Sequence, residues 1–209
     1  MKKITLDKQL KEKVPGYCLA IMSFDTEVTP TQESLKQEME QLEKEMMEQL
    51  TLETLLKQPR IAAARAGYKA LGKDPSRYRL STEALLRRLI KGNGLYFVNN
   101  AVDIGNVLSA RTQRSVAVLD EDKIQGDILI RIGQDEPYEG IGRGNINIEN
   151  MFDYLYYYII VLCIEKSVCE YLEHRHPIHL ELVLQKRRKL FYYSLHHLMG
   201  RMVYYRMWN

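Results

Sequence analysis

Residues 74–109 read DPSRYRLSTEALLRRLIKGNGLYFVNNAVDIGNVLS, and the fold turns on this stretch. Asp74-Pro75-Ser76-Arg77-Tyr78 is turn chemistry, because Asp and Ser side chains bond their own backbone and Pro fixes one torsion. Ser81 then has the hydroxyl of an N-cap, and the spacing predicts a helix over 82–91. Thr82-Glu83-Ala84 makes its first turn acidic, while Arg87, Arg88 and Lys91 make its last turn basic, each matching the helix dipole. Gly92 stops it. Tyr96-Phe97-Val98 is a short apolar run, Asn99-Asn100 follows, and a second short helix is expected over 101–109.

Toward the N-terminus, residues 3–13 read as a short helix ending before Pro15-Gly16, and Tyr17 to Phe24 as a buried strand. Thr29-Pro30-Thr31 opens a helix. Over 32–57, Leu35, Met39, Leu42, Met46, Leu50 and Leu55 recur at mostly three-to-four spacing between charges of alternating sign. That pattern is an amphipathic helix with a salt-bridged outer face. A coiled-coil dimer would need sustained heptads, which are missing, so the helix is expected to lie on its own domain. Residues 60–71 form a further helix closed by Gly72.

Toward the C-terminus the pattern changes to short β-type runs at Val116–Leu119, Ile128–Ile132 and Tyr138–Ile141. Helices followed by strands define an α+β domain, with the helices packed on a mostly antiparallel sheet.

The net charge of +3 is unevenly placed. Residues 1–150 hold 22 basic and 22 acidic side chains, so the whole excess lies in residues 151–209. That last segment also carries all five His, nine of the fourteen Tyr and one of the twelve Gly. The body is therefore neutral, and net charge supplies no case for nucleic-acid binding there. Three Cys make no disulfide framework. No apolar h-region follows Met1-Lys2-Lys3, and the longest apolar run, Leu155–Ile164, is about half a membrane span. A soluble cytoplasmic protein with no membrane partner is expected.

The segment 74–109 resembles the B3/B4 module of the phenylalanyl-tRNA synthetase β subunit, and more closely the freestanding B3/B4-domain proteins. The residues that carry the likeness are Ser81-x-Glu83-Ala84-Leu85-Leu86-Arg87-Arg88, Gly92-x-Gly94-Leu95, and Asn99-Asn100-x-Val102-Asp103-x-x-Asn106. Arg65-Ala66-Gly67-Tyr68 and Gly72–Tyr78 precede them; Gly126-Asp127-Ile128 and Glu139-x-Ile141-Gly142-Arg143-Gly144 follow. The likeness runs over roughly 15–150, and its order and length carry it rather than any one motif. It implies a B3/B4-like domain over 1–150. It also implies kinship with a pocket that hydrolyses tyrosine wrongly attached to phenylalanine tRNA, bordered by the Asn-Asn-x-Val-Asp-x-x-Asn segment. Asn99, Asn100, Asp103 and Asn106 would then lie at a ligand site.

Read chemically, those amides and one carboxylate can orient a polar ligand but include no nucleophile–base pair. Asn100 and Asp103 equally suit capping of the helix at 101–109. Arg87 and Arg88 could bind RNA phosphates, or could merely complement the helix dipole. Glu149 is the candidate catalytic acid or base. The lead expectation is an RNA-related binding module for an aminoacylated tRNA end, or for a free amino acid, able to hydrolyse a mischarged ester. The alternative is a non-catalytic small-molecule-binding or interaction protein that shares only the fold. No cofactor is implied.

Residues 151–209 read as an aberrant tail. Cys169, His174, His176 and His179 imitate a zinc site, and Lys186–Lys189 beside Phe191-Tyr192-Tyr193 imitates a basic aromatic patch. Both are discounted in favour of a frameshift. One base out of frame, Tyr171–His179 permits FGTPTSDS, which resembles the Gly-x-Pro-Thr-Ser-Asp-Ser motif expected late in the freestanding proteins. In the same frame Lys189–Leu195 permits ILLLFI, and Met199-Gly200 and Met202-Val203 each force a Gly codon. The junction is expected within 151–163. The last sheet strands would then be lost, stability and activity poor, and residues 154–164 prone to aggregate. No metal is expected.

Overall fold

The computed structural model describes residues 3–17, 19–22, 26–120, 126–135, 137–140, 144–147, 152–153 and 160–162. The core is helical. Helix α2 (Glu33–Gln49) buries Leu35, Met39, Leu42 and Met46, the face its spacing predicts. It packs on α5 (Ser81–Ile90) and α6 (Asn100–Thr112), which also pack on each other. Leu42, Leu55, Ile61, Leu86 and Leu89 are fully buried in this cluster. Each such side chain contributes about 1.5–3 kcal/mol relative to exposure. The apolar face of α2 is thus used within the chain, as expected for a helix lying on its own domain.

Residues 32–57 are two helices rather than one. Leu50 leaves the helix, and Thr51 starts α3 (Leu52–Leu55) with a reciprocal capping pair. The Thr54 amide donates to Thr51 Oγ1 at 3.1 Å and the Thr51 amide to Thr54 Oγ1 at 2.8 Å. Helix α4 (Pro59–Ala70) has Pro at its start. Gly72 follows it at a φ of 80°, the left-handed conformation that suits Gly, as the C-cap reading predicts.

Ser81 is not the N-cap of α5. Leu80 holds that position with no side-chain bond, and the acidic and basic turns fall where expected. Helix α6 begins one residue earlier than predicted and runs three residues further. Its last turn carries Arg111, whose guanidinium binds Glu38 and Glu45 of α2. Burial alone would lower the Arg111 pKa; the two carboxylates outweigh it and raise it above its ordinary value.

A second, smaller cluster joins Leu10, Ile21, Leu71, Ile128 and Ile130. Residues 3–13, predicted as one helix, divide here. Ile4–Leu6 form β1, and Asp7 caps α1 (Lys8–Lys13) by accepting from the Gln9 amide at 2.7 Å. β1 pairs parallel with β3 (Ile128–Ile132), Ile4 opposite Ile128. That long-range pairing overrides local helix preference.

Three antiparallel contacts complete the described strands: β2 (Ala20–Met22) with β7 (Ile160–Leu162), β3 with β6 (Phe152–Asp153), and β4 (Pro137–Gly140) with β5 (Gly144–Asn147). The architecture is α+β. The single mostly antiparallel sheet expected from the sequence is not what the described residues form, since they fall into three separate small sheets, one containing the parallel pair. Val116–Leu119 is not a strand. It crosses α6 instead, so close that a Cβ on Gly105 would lie 2.4 Å from Val118 Cγ2. Two short strands, β6 and β7, come from beyond residue 150, and the remaining tail residues lie outside the described ones.

Candidate functional site at the turn between α5 and α6

The turn begins with Gly92 and Gly94, both at positive φ, 70° and 58°. A side chain at either would be strained, so the pair permits a reversal that ordinary residues resist. The Gly94 amide donates to Glu43 Oε1 of α2 at 2.6 Å, and Leu95 is buried. Tyr96, Phe97 and Val98 then face water, 64%, 52% and 58% exposed. The chain is pinned again at once, because the Val98 amide donates to both oxygens of Asp103 at 3.1 and 3.2 Å.

The four polar residues expected at a ligand site divide sharply. Asn99 is the N-cap of α6, accepting from the Val102 amide at 2.9 Å. Asn100 is buried and ties the loop at 27–29 to α6. Its Oδ1 accepts from the Thr29 and Ala101 amides at 3.0 and 2.8 Å, and its Nδ2 donates to the Glu27 carbonyl at 2.9 Å. Asp103 is fully buried, and Thr31 Oγ1 donates to it besides the Val98 amide. The capping role open to Asn100 and Asp103 thus becomes a loop-holding role for both. Asn106 differs. It is half-buried, and no hydrogen bond of its amide joins any described residue. Asn99 and Asn106 are seven residues apart, so they share one helix face about 10 Å apart along the axis.

Arg87 and Arg88 have internal partners. Arg87 Nε donates to Glu83 Oε1 at 2.9 Å. Glu83 is fully buried, and its other oxygen receives Arg65 Nη1 at 2.8 Å, which also donates to the Pro75 carbonyl at 3.1 Å. Arg88 donates to the Asn93 carbonyl at 2.8 Å and to Tyr96 Oη at 2.9 Å, and its guanidinium carbon lies 3.8 Å from the Tyr96 ring centre. Among the described residues nothing bonds the terminal nitrogens of Arg87, whereas Arg88 spends both of its own. The Arg65–Glu83–Arg87 triad was only half legible. The i, i+4 spacing marks Glu83 and Arg87 as neighbours, whereas nothing local points to Arg65.

Asp74 stands at the turn before α5. The Ser76 amide and hydroxyl both donate to it, which holds its carboxyl below the usual range. Glu149 lies outside the described residues, as do the tail cysteines and histidines. Among the described residues no group of three or more His, Cys, Asp or Glu could hold a metal, and no helix is long and apolar enough to cross a membrane.

An α+β chain whose α5–turn–α6 unit presents an asparagine-bearing helix face defines a domain class, and the comparison with known families names it. The chain belongs to the B3/4 domain family, whose model matches residues 63–169. This links it, at the level of the domain, to the phenylalanyl-tRNA synthetase β subunit. No curated protein and no solved structure matches the chain.

Proposed function

We propose that the chain is an RNA-related binding module that receives an aminoacylated tRNA end along the Asn99–Asn106 face of α6, with hydrolysis of a mischarged ester as its reaction. The observation that carries this is membership of the B3/4 family over a segment that includes the whole α5–turn–α6 unit. Asn106 supports it as the contact residue, since no hydrogen bond of its amide joins any described residue, whereas the side chains of Asn99, Asn100 and Asp103 each bond inside the turn. Asn99, Asn100 and Asp103 act behind it, holding the turn. In such a reaction water adds to the ester carbonyl carbon, and the carbon–oxygen bond to the ribose breaks. The products are a free amino acid and a free ribose hydroxyl. Backbone N–H groups would stabilise the oxyanion, and Glu149 is the proposed proton carrier. Arg87, whose terminal nitrogens bond no described residue, is the better of the two arginines for a phosphate.

A second reading, a non-catalytic binder of free amino acids or other small molecules, is favoured by one observation. No nucleophile–base pair stands among the described polar residues of the turn. A deacylation assay with tyrosyl- and phenylalanyl-tRNA separates the two. The first reading expects faster loss of the ester than in buffer, and a fall of about tenfold or more in Asn106→Ala, the scale of lost positioning groups. Loss at the buffer rate, with free tyrosine or phenylalanine binding by calorimetry, selects the second.

A further inference from the structure

The strip Tyr96-Phe97-Val98 is exposed, but it is not loose. Glu43 holds the chain at Gly94, Leu95 anchors it in the core, and Asp103 holds it at Val98. Arg88 clamps the Tyr96 side chain and the Asn93 carbonyl. Two acidic side chains and a buried leucine therefore hold three apolar side chains in water, where apolar surface is unfavourable. Scattered exposed apolar residues need no explanation, but a pinned contiguous run with two aromatic rings does.

The surroundings of the rings point to one chemistry. Each ring has a cation beside it: the Arg88 guanidinium, held by Tyr96 and Asn93, 3.8 Å from the Tyr96 centre, and the Lys36 ammonium, paired with Glu33, 5.9 Å from the Phe97 centre. Flat π surfaces beside positive charge suit unpaired nucleobases joined by phosphates, because bases stack on the rings while the nearby charge attracts the backbone. An acidic or purely apolar partner would use only half of these features.

We infer that Tyr96 and Phe97 form a stacking surface for the unpaired bases of a single-stranded RNA end. This rests on the RNA-end reading above and gives that end a place to lie. The strip meets the N-cap of α6, so an RNA whose bases stack there has its terminus directed at the helix face that carries Asn106. Base stacking is tolerant of sequence, so the surface selects unpaired over paired RNA rather than one base over another.

The test uses the full chain and a fluorescently labelled octaadenylate, read by anisotropy at low salt. Tyr96→Ala and Phe97→Ala are each expected to weaken binding about 5- to 100-fold, the range seen for loss of one base–aromatic stack. Phe97→Leu keeps apolar area without a π face and is expected to weaken binding nearly as much. Both rings are exposed, and Phe97 has no hydrogen-bonding role, so its variants keep the fold; circular dichroism verifies this. A duplex of the same length binds less well. Absence of octaadenylate binding, equal binding by all three variants, or full binding by Phe97→Leu overturns the inference. So does self-association that Phe97→Ala abolishes without any RNA binding, which would make the strip a contact between copies. The two proposals fail separately. Ring-dependent binding that ignores an added 3′-aminoacyl ester sinks the proposed function and keeps the stacking surface; ester recognition indifferent to both ring variants does the reverse.

Discussion

Asp103 offers the sharpest test of whether the asparagine–aspartate segment acts on a ligand or on the fold. It is fully buried and receives two donors, the Val98 amide and the Thr31 hydroxyl. A hydrogen bond to a charged acceptor contributes about 1.5–3 kcal/mol. Asp103→Ala removes both and leaves a cavity, for a total near 3–5 kcal/mol. Val98 as a residue is exposed, which places the expected loss at the low end, about 3 kcal/mol. Asp103→Asn is milder. Its carbonyl oxygen can accept from Val98 and its amide can donate to Thr31 Oγ1, so only the charge is lost, at about 1 kcal/mol. Urea unfolding followed by circular dichroism gives both values. Heating gives a fall of about 6–12 °C for Asp103→Ala, at 2–4 °C per kcal/mol for a chain of this size. Thr31→Val should then cost little when added to Asp103→Ala, since its acceptor is already gone. A loss under about 0.5 kcal/mol for Asp103→Ala, the range of an ordinary surface change, would refute the loop-holding role. Equal losses for Asn and Ala would refute it too.

The buried triad should behave as a unit. Glu83→Ala leaves Arg65 and Arg87 facing each other without their carboxylate. It is expected to cost about 3 kcal/mol, the low end for a broken buried pair because both arginines reach water. Arg87→Ala leaves Glu83 paired with Arg65 and should cost about half of that; equal losses in urea unfolding would show that the triad is not shared as described. Gly105→Ala sets a Cβ against Val118 Cγ2 and should lose about 1–2 kcal/mol to overpacking, despite the better helix propensity of Ala. In a Val118→Ala background the sign should reverse, and a persistent loss there would point away from Val118. For the tail, sequencing the coding DNA tests the frameshift proposal. Codons 171–179 should supply TTT GGA ACA CCG ACA TCC GAT TCA one base out of frame, and an early stop in that frame would end it.

Much of the helical half was legible because its signals are local. Leu35, Met39, Leu42 and Met46 repeat every turn, and a face so patterned must be buried somewhere. Gly72 and Gly92 end helices because they accept left-handed torsions. The strands were less legible. Ile4–Leu6 was assigned to a helix because its partner lies at Ile128, far along the chain. Val116–Leu119 has strand composition but meets a glycine on α6 rather than another strand. The site divided in the same way. Asn99, Asn100, Asp103 and Asn106 were picked out together by residue type, and type alone could not say that three of them are spent on the turn.

By itself the sequence determined the α+β class, the family and the helix that carries the asparagines, because turns, caps and amphipathic faces are encoded by residues close together. Only the tertiary structure decided which polar groups remain free. Thr29 and Thr31 reach Asn100 and Asp103, and Arg65 reaches Glu83, from parts of the chain that no local pattern connects. A hydrogen bond depends on where two segments meet, and that meeting is set by the packing of α2, α5 and α6. The same packing holds Tyr96 and Phe97 in water, where composition alone would have buried them.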